Sequence, residues 1–201
     1  MEIIIHRINK VNELLKIPKR YGVEIDLRAK GSKIILNHEP FASGDLFENY
    51  LEFYNHGTVI VNIKEAGIEQ AVIDLLNTYK IKKYFLLDVE MPFVYNSSLK
   101  NFKNIAIRFS EYENIINVKF FLGKLNWVWI DTVTSLPLNV YNKKIIEQFH
   151  SCLVCPERWG RPDDIFLYYK KLTRLSFFPS AVMTSLECSK IWSSLLQNRL
   201  S

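Results

Sequence analysis

The stretch TVIVNIKEAGIEQAVIDLLNTYKIKKYFLLDVE, residues 58–90, decides the architecture. It opens on an apolar, β-branched run, TVIVNIK (58–64). It continues into a helical pattern, EAGIEQAVIDLLNTYK (65–80), and closes on a second apolar run, KYFLLDVE (83–90). Near-continuous apolar strands on either side of a helix suit a parallel sheet buried on both faces.

The alternation extends outward in both directions. Upstream lie the strand EIIIHR (2–7), a helical INKVNELLKIPKRYG (8–22) and the strand VEIDLRA (23–29). A KGSK turn returns through IILNHE (34–39), and Ser43 and Asp45 precede a helix over LFENYLEFYN (46–55). Downstream of 90 comes a short, poorly patterned helix around VYNSSLKNF, then the strands NIAIRFS (104–110), WVWIDTV (127–133), CLVCPE (152–157) and SAVMTS (180–185). Helices are expected from Ser110 through 123, over 139–150, over 163–175 and over 186–200. With IILNHE counted in the second unit, there are eight β-then-α units. Eight favour a closed (β/α)8 TIM barrel over an open sheet. At 201 residues it is a compact α/β barrel with short loops, read as one domain over 1–201.

Composition narrows the function classes. Lys and Arg number 26 against 21 Asp and Glu, a net charge of +5, but the basic residues are scattered. A nucleic-acid partner is therefore not expected, whereas an anionic small molecule is. No apolar run approaches the roughly 18 residues of a membrane span. MEIIIHRINK lacks the pattern of a secretory signal, so a cytoplasmic location is expected. Cys152, Cys155 and Cys188 cannot all pair. On a strand, residues 152 and 155 face opposite sides, so the CxxC is read as buried and inert rather than as a redox or zinc motif.

Polar residues interrupt the apolar runs at the carboxyl ends of the strands. They are His6 and Arg7, Glu24 and Asp26, His38 and Glu39, Asn62 and Lys64, Asp88 and Glu90, Arg108, Asp131, Glu157, and Thr184 with Ser185. In a (β/α)8 barrel these ends converge on one face, where active sites sit. Glu24 and Asp26, two apart on a strand, point the same way and repel unless a cation lies between them. Mg²⁺ or Ca²⁺ is the natural neutraliser, with a salt bridge to Arg7, Arg28 or Lys64 the alternative. His6 and His38 suit a general acid–base pair. Arg7, Lys64 and Arg108 would form a cationic rim for a phosphate group. Trp129 belongs either to the core or to the barrel mouth.

In chain order, His6-Arg7, Glu24-Ile25-Asp26, His38-Glu39 and Asn62-Ile63-Lys64 resemble the motifs of the glycerophosphodiester phosphodiesterase family. That family belongs to the superfamily shared with phosphatidylinositol-specific phospholipases C. Its pattern is His-Arg, Glu-x-Asp, His-Asp and Glu-x-Lys. The resemblance implies a (β/α)8 barrel that cleaves a glycerophosphodiester or a related sugar-phosphate or nucleotide-linked diester. It implies His6 and His38 as the acid–base pair and Arg7 and Lys64 on the phosphate. Glu24, Asp26 and Asn62 would be ligands of a divalent metal. Ile8 stands where the family has glycine, Glu39 where it has aspartate, and Asn62 where it has the third metal carboxylate. An amide oxygen still binds a hard cation, but one negative charge is lost, and Glu39 or Glu90 would have to restore it. The insertion that many relatives carry after the second strand is absent, leaving an open site.

Two other readings follow from these residues. One is a weakly active or inactive barrel that binds phosphorylated glycans, or an accessory protein of surface-polysaccharide synthesis. The other is a metal-independent phosphodiesterase in which Arg7 or Arg108 replaces the metal. Asn62 favours the first of these; the retained histidines favour an enzyme.

Overall fold

In a computed structural model, residues 1–197 of the chain are described. The strands are β1 (Glu2–Ile5), β2 (Gly22–Lys30), β3 (Lys33–Leu36), β4 (Asp45–Leu46), β5 (Val59–Ile63), β6 (Tyr84–Leu87), β7 (Ala106–Phe109), β8 (Trp127–Ile130), β9 (His150–Val154) and β10 (Ala181–Thr184). The helices are α1 (Val11–Leu14), α2 (Phe47–Phe53), α3 (Glu69–Thr78), α4 (Met91–Leu99), α5 (Ile115–Phe120), α6 (Val140–Ile146), α7 (Asp164–Arg174) and α8 (Ser189–Gln197). The end of the expected last helix, residues 198–200, lies outside the described residues.

Eight strands run parallel around a ring: β1, β2, β5, β6, β7, β8, β9 and β10. The seam between β6 and β7 closes through a parallel bridge, Leu86 to Ile105, and through the Leu86 amide donating to Asn104 O at 2.9 Å. The fold is therefore the expected (β/α)8 barrel. β3 and β4 form an antiparallel flap on β2, outside the ring. Its turn uses Gly31 at φ +62°, a conformation cheap only for glycine.

The alternation of side chains builds two separate cores. Outward residues such as Ile3, Ile5, Val23, Ile25, Val61 and Val128 pack under the helices. Inward residues Ile4, Ile60, Phe85, Leu87, Trp129 and Met183 fill the barrel interior. Cys152 belongs to the inner core and Cys155 to the outer one, as expected for residues three apart on a strand. Both thiols are free and buried, and burial pushes Cys155 up to about 12. They are inert at neutral pH.

Several expected helices are shorter. The helix expected over 8–22 shrinks to Val11–Leu14, because Pro18 lacks an amide proton and blocks continuation. Asp45, expected to cap α2, instead accepts the Val11 amide at 2.8 Å and so caps α1 across the fold. α5 begins at Ile115, capped by Asn114, whose side chain accepts the Ile116 amide, rather than at Ser110. The weakly patterned α4 is a full nine-residue helix with proline in its first turn. Glu157, expected at a strand end, lies on a 3-10 turn, Pro156–Trp159, after β9. Among the described residues no helix is long and apolar enough to cross a membrane.

Candidate active site

At the carboxyl mouth of the barrel lies a cavity of about 300 Å³. Of the residues expected in the site, His6, Arg7, Glu24, Asn62, Lys64 and Arg108 line it. Glu24 and Asp26 point inward from β2, and Asn62 faces them from β5 in the pairing Asp26 to Asn62. Hydrophobic strands force these polar groups into the interior because every second residue of a barrel strand faces inward.

Glu24 and Asp26 are almost fully buried, at 1% and 0% exposure. Glu24 Oε2 accepts the Arg7 amide at 2.9 Å, and Oε1 accepts the Asn62 side-chain amide at 3.0 Å. Asp26 is held by Asn9, which donates to Oδ2 at 2.9 Å and accepts the Asp26 amide at 2.8 Å. Lys64 Nζ lies 3.4 Å from Asp26 Oδ1 and 3.6 Å from Asp88 Oδ2. Burial, and then the neighbouring Asp26 charge, push the Glu24 carboxyl up to about 7. Two such carboxylates call for a nearby cation.

Two buried oxygens here accept no hydrogen bond: Asp26 Oδ1 and Asn62 Oδ1. Together with Glu24 they are hard oxygen donors of the kind that Mg²⁺ and Ca²⁺ take. The residues present therefore fit a divalent cation in kind, with only two charged ligands. Among the described residues no group of three His, Cys, Asp or Glu side chains is placed to hold a metal. Glu39 does not supply the missing charge, since its carboxylate is bound to His38. Glu90 serves as the residue before α4, and besides Glu24 the carboxylates that line the cavity are Asp88 and Asp131.

His6 Nε2 sits 3.8 Å from Glu24 Oε2. Burial, and then the charges of Arg158, Arg7 and Lys64, lower its pKa to about 3, so it is a neutral imidazole at neutral pH. His38 lines an adjoining cavity that shares Arg7 with the first. Its Nδ1 contacts Glu39 Oε1 at 2.6 Å. The Arg28 guanidinium binds both His38 O, at 3.0 Å, and Lys64 O, at 3.0 Å, and so fixes the flap end to β5. His6 and His38 thus line two cavities that share Arg7, and the His38 charge still reaches the His6 ring.

Arg108 is fully engaged. Its guanidinium reaches Asp88 at 2.7 Å, Glu113 at 2.7 Å and Asp131 at 2.6 Å. Asp131 is a hub: it also accepts the Thr132 amide at 2.8 Å and the Trp159 indole at 2.9 Å, with Trp129 Nε1 at 3.4 Å. Trp129 does line the mouth. Arg158 and Trp159 also line the cavity and were not foreseen, because they belong to a loop rather than a strand end. The signal available was an Arg, Trp and Gly cluster in PERWGRPDD directly after a strand.

Arg7 and Asp88 adopt left-handed backbone, with φ +54° and +56°. A non-glycine residue there carries strain of about 1 kcal/mol, and such strain gathers at functional sites. Arg7→Gly is accordingly expected to leave the thermal midpoint equal or raised while weakening phosphate binding. A lowered midpoint would show that the Arg7 side chain is needed for the fold.

The chain is a (β/α)8 barrel whose mouth is lined by Arg7, Lys64, Arg108 and Arg158 together with Glu24, Asp88 and Asp131, and comparison with known proteins agrees on the fold. No protein-family model and no curated protein matches the sequence. Solved structures do. A candidate glycerophosphoryl diester phosphodiesterase of Agrobacterium tumefaciens C58 superposes with a TM-score of 0.68 at 9% identity, covering 100% of this chain and 99% of the other. A glycerophosphoryl diester phosphodiesterase of Parabacteroides distasonis superposes with a TM-score of 0.64 at 12% identity, covering 96% and 86%. The chain shares the fold of these two proteins over nearly its whole length.

Proposed function

We propose that this chain is a phosphodiesterase acting on a glycerophosphodiester or a related sugar-phosphate or nucleotide-linked diester. The observation that carries the reading is the convergence of His6, Arg7, Glu24 and Lys64 on one cavity, above the buried Asp26. Its support from outside the chain is the shared fold of the two named phosphodiesterases.

Arg7 and Lys64 would hold the phosphate oxygens. His6, neutral at its ring, accepts the proton of the attacking hydroxyl, which the substrate itself can supply from a neighbouring carbon. His38 protonates the leaving oxygen. Glu39 on Nδ1 orients its ring and leaves Nε2 for the substrate side. Glu24, Asp26 and Asn62 would hold Mg²⁺ or Ca²⁺, which would supply Lewis-acid stabilisation of the phosphate charge. The test is hydrolysis of glycerophosphocholine, glycerophosphoethanolamine, nucleotide-diphosphate-glycerol and bis(p-nitrophenyl) phosphate with Mg²⁺, Ca²⁺, Mn²⁺ or EDTA. Turnover of at least one diester, lost in His38→Ala, is expected. A folded protein inert on all of them would favour a glycan-phosphate binding barrel.

One observation favours the metal-independent variant of this reading. Lys64 already lies on Asp26, and the Asn62 amide donates to Glu24. The two variants separate at position 62. If a cation binds here, Asn62→Glu restores a third carboxylate and is expected to tighten Mg²⁺ or Ca²⁺ binding by roughly tenfold or more, because affinity follows ligand charge. An unchanged calorimetric affinity removes Asn62 from the ligand set, and turnover undiminished by EDTA assigns the phosphate charge to the side-chain cations.

A further inference from the structure

The cations of the mouth are not equivalent. Lys64 faces Asp26 and Asp88, Arg7 Nε is 3.9 Å from Asp26, and Arg108 is bound by three carboxylates. Arg158 lines the same cavity, yet among the described residues its guanidinium has no hydrogen bond or ion pair. A guanidinium left without a carboxylate beside a cavity is available to a ligand.

The turn that carries it is rigid. At one end, Cys155 N donates to Met183 O at 2.9 Å, and Glu157 Oε1 accepts both the Thr184 hydroxyl at 3.0 Å and the Ser185 amide at 2.6 Å. At the other, Gly160 turns the chain at φ +74°, and the Arg161 guanidinium binds Thr132 O at 2.6 Å and Val133 O at 2.7 Å. Trp159 between them is 46% exposed, with its indole N–H fixed on Asp131. Its ring is thus held by its edge at the cavity rim. The arrangement is preorganised, so its binding cost in side-chain entropy is small.

We propose that Arg158 and Trp159 form the subsite for the alcohol side of the substrate, selecting a neutral or anionic polyol over a cationic amino-alcohol. The guanidinium donates to hydroxyl or phosphate oxygens and repels an ammonium group, while the indole packs against the apolar face of a polyol or sugar. The assignment rests on the phosphodiesterase reading and names its substrate class. An exposed tryptophan beside a carboxylate would, alone, suit a choline-type cation. Here Asp131 is already engaged by Arg108, the Thr132 amide and the Trp129 and Trp159 indoles, and the charged side chain next to Trp159 that makes no ion pair among the described residues is the cationic Arg158.

The test is calorimetric binding of two phosphomonoesters, glycerol 3-phosphate and phosphocholine, to the full chain and to Arg158→Gln and Arg158→Lys. In the unmodified protein glycerol 3-phosphate is expected to bind at least about tenfold tighter, the size of one charge-assisted hydrogen bond. Arg158→Gln should bring the ratio to about twofold or less, and Arg158→Lys, which keeps the charge but loses the fork, should fall between. Because among the described residues the Arg158 guanidinium makes no hydrogen bond or ion pair, thermal midpoints should shift by less than about 2 °C. Equal binding of both monoesters, no binding of either, or a ratio unmoved by Arg158→Gln overturns the subsite. Turnover of diesters is scored in parallel. An Arg158-dependent ratio without turnover overturns the enzymatic reading and upholds the subsite, whereas turnover with an unmoved ratio overturns the subsite alone.

Discussion

His6→Ala is expected to lower kcat/KM for a hydrolysed diester by about 10³-fold, within the range that a positioned acid–base group contributes. The ring is well placed for this. It follows β1 and lines the cavity 3.8 Å from Glu24, and burial, then the charges of Arg158, Arg7 and Lys64, keep it neutral. Folding should survive, since His6 has no backbone or side-chain hydrogen bond through its ring beyond the Glu24 contact. Activity within about threefold of the unmodified protein, from a folded variant, would remove His6 from the proton-transfer role. The same residue carries a stability signature. Its pKa is about 3 in the folded chain against an ordinary value of 6.5. Below pH 6.5 the unfolded chain takes up a proton that the folded chain refuses. The contribution of His6 to stability is therefore complete above pH 6.5 and declines as pH falls toward 3. Denaturant unfolding in EDTA should show a shallower loss over that window for His6→Asn. Parallel curves would mean that His6 titrates normally in the fold.

Asp131→Ala is expected to cost about 2–4 kcal/mol of folding stability, toward the low side of breaking a buried ion pair because Asp88 and Glu113 still face Arg108. For a chain of this size that is a fall of roughly 5–15 °C in the thermal midpoint. The carboxylate is 6% exposed and holds Arg108, Thr132 and Trp159 at once. Asp131→Asn keeps an acceptor for Trp159 but loses the charge facing Arg108, and should fall between. A midpoint shift below about 2 °C for the alanine variant would show that the hub is dispensable. Since the mouth loses one negative charge while Asp88 and Glu113 still hold Arg108, phosphate binding in a folded Asp131→Asn is expected to tighten while glycerol selectivity at Arg158 persists.

The barrel and the strand-borne candidate residues were legible because their signals are local. A strand buried on both faces reads as an apolar run, and a polar residue inside such a run has few reasons to be there. Glu24, Asp26, Asn62 and Lys64 stood out on that ground, and the structure brings all four to one end of β2 and β5. The KGSK turn was equally readable, since Gly31 takes the positive φ that such a turn demands. Helix lengths were less so. Whether residues 8–22 form one helix depended on Pro18 and on a capping carboxylate, Asp45, more than thirty residues away.

What the amino-acid order determined alone is thus the eight barrel strands and their order, though not the short β4, the single carboxyl-end face, and the residue types available there. The tertiary structure decided which of those residues are free to act. Arg108 was marked by its apolar strand and Arg158 was not, yet Arg108 is neutralised by Asp88, Glu113 and Asp131, the first and last of them from neighbouring strand ends, while among the described residues the Arg158 guanidinium makes no hydrogen bond or ion pair. The physical reason is that burial patterning repeats over two to four residues, whereas the charge balance of a closed barrel is set by side chains that meet only when the ring between Leu86 and Ile105 shuts.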